Sequence, residues 1–247
     1  MDVTLLTVGD EVLAGDTVNT NAAWLAEEIT GRGATVRRIL TVPDDHETIA
    51  DWVARFVADY DAVVVTGGLG GTPDDVTMAA VADGLDRDLV TFEDVHEGLV
   101  AKAEAFRDEN PDLAEEYEFD LDFIAAAARL PEDARPLVTD AGWSPGCAVD
   151  GVYVLPGISE EMRAMFDLVA DEFDGEVVSR TLYTPTPEGA MGDALTEIRD
   201  EFAADVGSYP ADPETPNRLK VTGTDADEVA RAADWLREQV ETVPEPE

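Results

Sequence analysis

A cluster of glycines between residues 66 and 77 is the segment of this sequence best suited to bind a ligand. A strand predicted over 62–66 runs into GGLGG at 67–71, and a helix is predicted from residue 76. Glycine lets backbone N–H groups come close to an anion, and a helix N-terminus adds partial positive charge. Open α/β sheets bind ligands at the carboxyl ends of their strands. The segment therefore predicts a site for a phosphate-bearing small molecule.

Carboxylates flank this glycine cluster and a second loop. Asp74 and Asp75 follow the glycines, and Asp10 and Glu11 follow the first predicted strand. A carboxylate at a helix start is often only an N-cap, and residues 9–15 can also be a solvated loop of an acidic protein. Beside an anion, the same groups can hold Mg²⁺ or accept from the N–H groups of a heterocycle. These alternatives stay open on the residues alone.

Other sites and motifs are disfavoured. There is no GxGxxG after the first strand and no Gly-Lys-Ser/Thr, so neither common nucleotide motif is present, and a tight turn without a ligand is the alternative. No Ser or Cys stands in a nucleophile elbow, and His46 and His96 are expected on helix surfaces, which argues against a triad hydrolase. Cys147 is the only cysteine, which excludes a disulfide framework and a thiolate zinc site.

The charge excludes two classes of partner. With 56 Asp and Glu against 16 Lys and Arg, the formal net charge is -40. Nucleic acids and anionic membranes are recognised by clustered Lys and Arg, so neither is expected to bind. Salt at 1 M shortens the Debye length to roughly 3 Å and screens the self-repulsion, so the composition predicts a halophilic protein. No apolar run approaches the roughly 20 residues of a membrane span, and we expect a cytoplasmic location.

Strands and helices alternate along the first 174 residues, which predicts a three-layer α/β domain with a mostly parallel sheet. Residues 175–242 are predicted to form a small α+β domain, and 243–247 a solvated acidic tail. In the large domain we predict strands over 3–8, 35–42, 62–66, 134–138 and 152–155, and helices over 21–30, 46–58, 76–84, 93–109, 121–130 and 159–173.

Several loops form an ordered series of motifs along the chain. They are GDEVLAG at 9–15 with Asn21, TGGLGGTPDDVT at 66–77, SPG at 144–146, LPG at 155–157 followed by Glu161-Met162, and GSYP at 207–210 with Asn217. Together these loops resemble the molybdopterin-binding domain of the competence/damage-inducible protein CinA. The resemblance implies a three-layer α/β fold that binds molybdopterin or a similar nucleotide-like ligand. It also implies, for CinA relatives, hydrolysis of the diphosphate of ADP-ribose with a divalent metal (Mg²⁺, Mn²⁺ or Co²⁺), and a homodimer.

Residue roles follow from this resemblance. The phosphate loop would contain Gly67, Gly68, Gly70 and Thr72, with Asp75 as its functional carboxylate. We predict Asp75, Asp74 and Glu11 as catalytic residues, and Asp10, Glu11 and Asp75 as metal ligands. The full set of predicted ligand contacts is Thr66, Gly67, Gly68, Gly70, Thr72, Thr77, Asn21, Ser144, Gly146, Pro156 and Gly157.

The sequence also departs from the family pattern. Gly71 stands where Pro is expected, which predicts a looser loop, and Asp140 and Trp143 replace an Asn and a small residue before Ser144. Two alternatives to a hydrolase stay open: a molybdopterin binding protein without hydrolysis, and a protein-interaction module.

Overall fold

Residues 1–110, 121–210 and 215–246 are described by the structure, which is a computed structural model. The chain divides into two compact units. The first contains Met1–Ile29 and Thr35–Phe173, and the second contains Thr30–Ala34 and Asp174–Glu247. The short segment Thr30–Ala34 belongs to the second unit because Gly33 bonds to the chain after Phe173, through its bridge with Asp174 and a 3.0 Å bond from the Val177 N–H to the Gly33 carbonyl.

The first unit contains strands that are separated by helices for most of its length. Its strands are β1 (Asp2–Val8), β2 (Thr35–Val42), β3 (Ala62–Thr66), β4 (Leu89–Thr91), β5 (Arg129–Pro131), β6 (Arg135–Leu137), β7 (Gly146–Val149) and β8 (Val152–Leu155). Its helices are α1 (Asp10–Leu13), α2 (Thr20–Gly31), α3 (His46–Asp59), α4 (Thr77–Gly84), α5 (Glu93–Glu109), α6 (Leu121–Ala127) and α7 (Ser159–Phe166), followed by a 3₁₀ turn at Ala170–Glu172.

Six of these strands form one sheet with the order β2-β1-β3-β8-β7-β6. The first four run parallel, β7 is antiparallel to β8, and β6 is antiparallel to β7, so only β7 runs in the opposite direction. Every residue of β3 is buried, as expected for a central strand covered on both faces. The predicted mostly parallel α/β fold is confirmed.

Helices pack on both faces of this sheet. Val63 of β3 belongs to a buried cluster that contains Phe56 of α3 and residues of α4 and α5. Val64 is equally buried but faces the opposite side, because side chains alternate along a strand. On that side α2 and α7 meet through Trp24 and Phe166, whose ring centroids are 5.5 Å apart.

Two predicted helices are shorter than expected. The helix predicted over 121–130 ends at Ala127, because Arg129–Pro131 pairs with Leu89–Thr91 as a two-stranded sheet. The helix predicted over 159–173 ends at Phe166, and a 3₁₀ turn then brings Phe173 back to stack on the Phe166 ring at 5.3 Å. In both places tertiary contacts override the local helical pattern.

The second unit is a small α+β structure, as predicted. Its strands β9 (Val178–Thr184), β10 (Asp205–Tyr209) and β11 (Asn217–Gly223) form an antiparallel sheet with β11 in the centre. Helices α8 (Gly192–Glu201) and α9 (Ala226–Gln239) pack against it, and their buried core includes Ile198, Leu219 and Leu236. Asp225 caps α9 by accepting from two N–H groups of its first turn.

Two hydrogen bonds attach the last described residues to this sheet, and residues 244–246 are exposed. The Val243 N–H donates to the Tyr183 carbonyl at 2.8 Å, and the Tyr183 hydroxyl donates to the Glu245 carboxylate at 2.8 Å. Within the described ranges, none of the helices has the length and apolar character needed to cross a membrane.

Candidate functional site

A cleft of about 440 Å³ opens at the carboxyl ends of three neighbouring parallel strands, β1, β3 and β8. The loops after these strands form its walls, so segments far apart in sequence meet at one edge of the sheet. Most of the predicted site residues line this cleft: Glu11, Asn21, Thr66, Gly67, Gly68, Gly70, Asp74, Asp75, Ser144, Pro156 and Gly157.

The glycine loop after β3 begins with a left-handed turn. Gly67 and Gly68 have φ of 99° and 64°. A Cβ on Gly67 would lie 2.2 Å from the Val8 carbonyl oxygen, and one on Gly68 would lie 2.2 Å from the Thr77 hydroxyl oxygen. Both the backbone angles and the space therefore require glycine at these two positions.

Asp75 fixes the far side of the same loop. Its carboxylate accepts from the Gly70 N–H at 2.8 Å, from the Thr72 N–H at 2.8 Å and from the Thr72 hydroxyl at 2.5 Å. These bonds give Asp75 a positioning role that its sequence context did not reveal. Its roles as catalytic residue and metal ligand stay predictions.

Three N–H groups of the loop have no acceptor among the described residues. They belong to Gly68, Leu69 and Gly71, whereas Gly67 donates to the Leu155 carbonyl at 3.2 Å. Gly68 and Leu69 line the cleft. Adjacent backbone donors in a turn of this kind form a concave site for an anion.

Four predicted site residues lie away from the cleft. Thr77 is fully buried behind Gly68, and Gly146 is buried in β7, where a Cβ would meet the Val154 carbonyl oxygen at 2.2 Å. Both shape the packing behind the site. Thr72 bonds to Asp75, and the Asp10 N–H donates to the Asp44 carboxylate at 2.8 Å.

The amide of Asn21 ties two walls of the cleft together. Its Nδ2 donates to the Gly157 carbonyl at 2.6 Å, and its Oδ1 accepts from the Ser159 hydroxyl at 2.7 Å. Asn19 caps α2 by accepting from the Ala22 N–H at 3.1 Å. The Asn21 side chain thus holds the loop after β8 in place, and Ser159 joins the lining.

The cleft is strongly acidic. Its lining carboxylates are Glu11, Asp44, Asp74, Asp75 and Glu161, and no Lys or Arg of the described chain lines it. Burial raises the pKa of Asp44, and the charges of Asp10, Glu11 and Asp74 raise it further, while the Asp10 N–H bond opposes the shift. Burial also raises the pKa of Glu161, against the opposing charge of Lys102.

Sequence reasoning missed three of the groups that shape this site. No role in a site was predicted for Asp44, and Asp45 rather than Asp44 caps α3 by accepting from the Thr48 N–H at 2.9 Å. Asp44 is left to face the acidic loop after β1. Glu161 belongs to a recognised motif but was given no role, and Lys102 lies on α5, far from every motif. The available signal for Lys102 was its rarity, because the sequence contains only two lysines.

Lys102 anchors the segment that leads to Ser144. Its ammonium group donates to the carbonyl of Gly142 at 2.5 Å and to those of Thr139 and Asp140 at 3.3 Å each. It also lies 5.3 Å from the Trp143 ring centroid. Any Cβ on Gly142 would collide with the Glu161 carboxyl group, so Lys102, this segment and Glu161 are in close contact.

The predicted metal ligands do not form a complete metal site. Both oxygens of Asp75 already accept hydrogen bonds, and among the described residues no group of three or more His, Cys, Asp or Glu side chains is arranged to hold an ion. Mg²⁺ is usually bound by one or two carboxylates together with substrate phosphates. The carboxylates of the cleft can therefore bind a hard cation such as Mg²⁺ only together with phosphate oxygens of a ligand.

The fold and the cleft define an α/β domain with a ligand site at the carboxyl edge of its sheet. Residues 4–174 match the family described as a probable molybdopterin binding domain, and this chain belongs to that family. Residues 176–244 match the family described as the middle domain of FAD synthase.

Two similar archaeal proteins match this chain over most of its length, and a solved structure matches a shorter part of it. A protein of Archaeoglobus fulgidus is 32% identical over 242 residues, which are 96% of this chain and 97% of that protein. One of Thermococcus kodakarensis is 36% identical over 218 residues, covering 83% and 84%. The crystal structure of the protein CinA from Thermoplasma acidophilum is 32% identical, with a TM-score of 0.60 over 70% of this chain and 97% of that chain. The resemblance to CinA is confirmed.

Replacing Lys102 with Met should raise the pKa of Glu161 further, because the change removes the cation that opposes the effect of burial. The titration of the Glu161 side-chain carboxyl carbon by NMR measures this directly. Lys220, the other lysine of the chain, lies on β11 in the second unit, and Lys220→Met is the matched control. An unchanged Glu161 titration, or the same shift in both variants, would contradict the assigned contact.

Proposed function

We propose that this chain binds a phosphate-bearing small molecule, a molybdopterin or a nucleotide, in the cleft at the ends of β1, β3 and β8. The observation that carries the proposal is the pair of N–H groups on Gly68 and Leu69, which line the cleft and have no acceptor in the described chain. A phosphate oxygen is the natural acceptor for such a pair, and α4 begins a few residues later with its positive end.

The rest of the cleft suits the polar remainder of such a ligand. Ser144, Ser159 and Asn21 bring hydroxyl and amide groups to the opposite wall. Membership of a family described as probable molybdopterin binding, and the match of the second unit to a domain of FAD synthase, support a ligand with phosphate groups.

The acidity of the cleft argues that the phosphate enters with a cation. A phosphate beside five carboxylates is strongly repelled unless a counterion or high salt offsets the charge. A divalent cation shared between the ligand phosphate and Asp44, Asp10 or Glu11 meets this need. Such a cation would polarise the phosphoryl group and lower the pKa of an attacking water.

This requirement for a cation favours a finer proposal, the metal-dependent hydrolysis of a nucleotide diphosphate such as ADP-ribose. The glycine-loop N–H groups would hold the negative charge that develops on the phosphoryl oxygens. Asp75 would keep these donors in position, and the carboxylates after β1 and β2 would hold the cation. A carrier that binds the ligand without hydrolysis uses the same cleft and is the second candidate.

The positioning role of Asp75 predicts that Asp75→Asn weakens phosphate binding even without metal. The Asn amide lacks one acceptor oxygen, so at least one loop bond is lost, and the dissociation constant of inorganic pyrophosphate should rise about tenfold. Calorimetry in molar KCl measures the change. Asp16→Asn removes the same charge from an exposed residue outside the cleft. Equal effects of the two substitutions would mean that Asp75 acts only through its negative charge and not through its bonds to the loop.

Hydrolysis predicts release of AMP from ADP-ribose when Mg²⁺, Mn²⁺ or Co²⁺ is added, and its loss with a chelator. Glu11→Gln should then lower turnover by on the order of 10², the scale of a lost transition-state stabiliser, while metal-free binding changes little. Chromatography of the products follows the reaction. Tight binding of ADP-ribose without AMP release under any of these metals would leave the carrier and exclude the hydrolase.

A further inference from the structure

The glycine loop separates the cleft from a second hollow in the same unit. This second hollow has a volume of about 360 Å³ and shares Gly68, Leu69, Gly70 and Asp75 with the cleft. Its other walls come from α4, α6 and the short sheet of β4 and β5. A ligand held by the loop N–H groups can therefore extend to either side of the loop.

The two hollows differ in their chemistry. Phe123 is the only aromatic residue and Arg129 the only cation that lines either of them within the described ranges, and both line the second. Leu69 and Met78 extend its apolar surface, and Asp75, whose carboxylate is bonded to the loop, is its only described carboxylate. The second hollow is thus the better environment for an apolar, planar group.

The Phe123 ring is placed by the glycine that departs from the family pattern. A Cβ on Gly71 would lie 2.6 Å from the Phe123 Cδ2 atom, so the ring packs directly on the backbone of the loop. The expectation that Gly71 only loosens the loop is therefore incomplete. Glycine at this position leaves room for an aromatic ring beside the phosphate-binding donors.

Arg129 is fixed at the rim of the same hollow. One of its guanidinium nitrogens donates to the Leu89 carbonyl at 3.2 Å, which joins β4 and β5 on that side. The side chain is exposed and keeps further donors for the edge of a ligand. The Gly71 N–H, which lacks an acceptor among the described residues, lies in the lining as well.

We propose that the second hollow binds the planar heteroaromatic ring of the ligand, stacked on Phe123, while the glycine loop holds its phosphate. The inference rests on the proposed function and assigns the ring of its ligand, a nucleotide or a phosphorylated pterin, to one side of the glycine loop. Arg129 and the Gly71 N–H recognise polar atoms at the edge of the ring. A phosphorylated sugar that carries no aromatic ring would occupy only the phosphate part of this site.

The test compares probes with and without a ring on one protein. ADP and neopterin triphosphate carry a ring and phosphates, and inorganic pyrophosphate carries phosphates alone. Calorimetry in molar KCl with Mg²⁺ should show at least one ring-bearing probe binding more tightly than pyrophosphate. Phe123→Ala should weaken that probe roughly tenfold or more, the usual effect of losing an aromatic stacking partner, and change pyrophosphate less than twofold. The ring-bearing probe whose affinity falls more in Phe123→Ala shows whether the hollow prefers a purine or a pterin ring.

Two further variants separate stacking from damage to the loop. Phe123→Leu keeps an apolar side chain and should give a smaller loss for the ring-bearing probe. Phe202→Ala removes a ring from the second unit that lines neither hollow and should leave all affinities unchanged.

Three results would overturn the proposal. Equal losses for pyrophosphate and the ring-bearing probes in Phe123→Ala would mean that the loop itself is damaged. Ring-bearing probes that bind no more tightly than pyrophosphate, or that are insensitive to Phe123→Ala, would reject the ring site and leave the phosphate site intact. Failure of all three probes to bind the wild-type protein would instead reject the proposed function, and the ring site with it.

Discussion

The left-handed turn at Gly67 and Gly68 is the constraint on which the site depends. It ends β3, the central strand of the sheet, and lets the backbone pass within van der Waals reach of the Val8 carbonyl and the Thr77 side chain. The bonds that Asp75 accepts fix the remainder of the loop. As a result, backbone N–H groups are held at the cleft without an acceptor among the described residues, and a preorganised donor loses little entropy on binding.

The acidity of the chain determines how such a site can work. Basic side chains are few, and the cleft has none among its described lining residues, so phosphate recognition falls to the backbone and an accompanying cation. Because basic side chains are few, the position of each one indicates where the structure uses a positive charge. Lys102 holds three carbonyls behind Ser144, and Arg129 lies beside the loop in the second hollow. Each of them serves a defined contact.

Much of the fold could be predicted from the sequence, and the site only in outline. The bounds of β2 and β3 were predicted correctly. β3 is a continuous apolar run, as expected of a buried strand, whereas β2 is an edge strand with exposed residues in its middle. The cleft was predicted as a meeting of loops, since the ends of parallel strands lie at one edge. The contacts of Asp44, Lys102 and Phe123 could not be predicted, because each joins residues that are far apart in the sequence and no local pattern reports such a contact. Asp75 was singled out by its place after the glycines, but its bonds to Gly70 and Thr72 depend on the shape of the loop.

The central claim is that the Gly68 and Leu69 N–H groups bind phosphate, and their amide resonances test it most directly. Titration of ¹⁵N-labelled protein with pyrophosphate and Mg²⁺ in molar KCl should shift both amide protons downfield and saturably, as expected for new hydrogen bonds to an anion. Amides of the second unit should stay in place. Saturable shifts elsewhere in the protein, with the Gly68 and Leu69 resonances unmoved, would contradict the account.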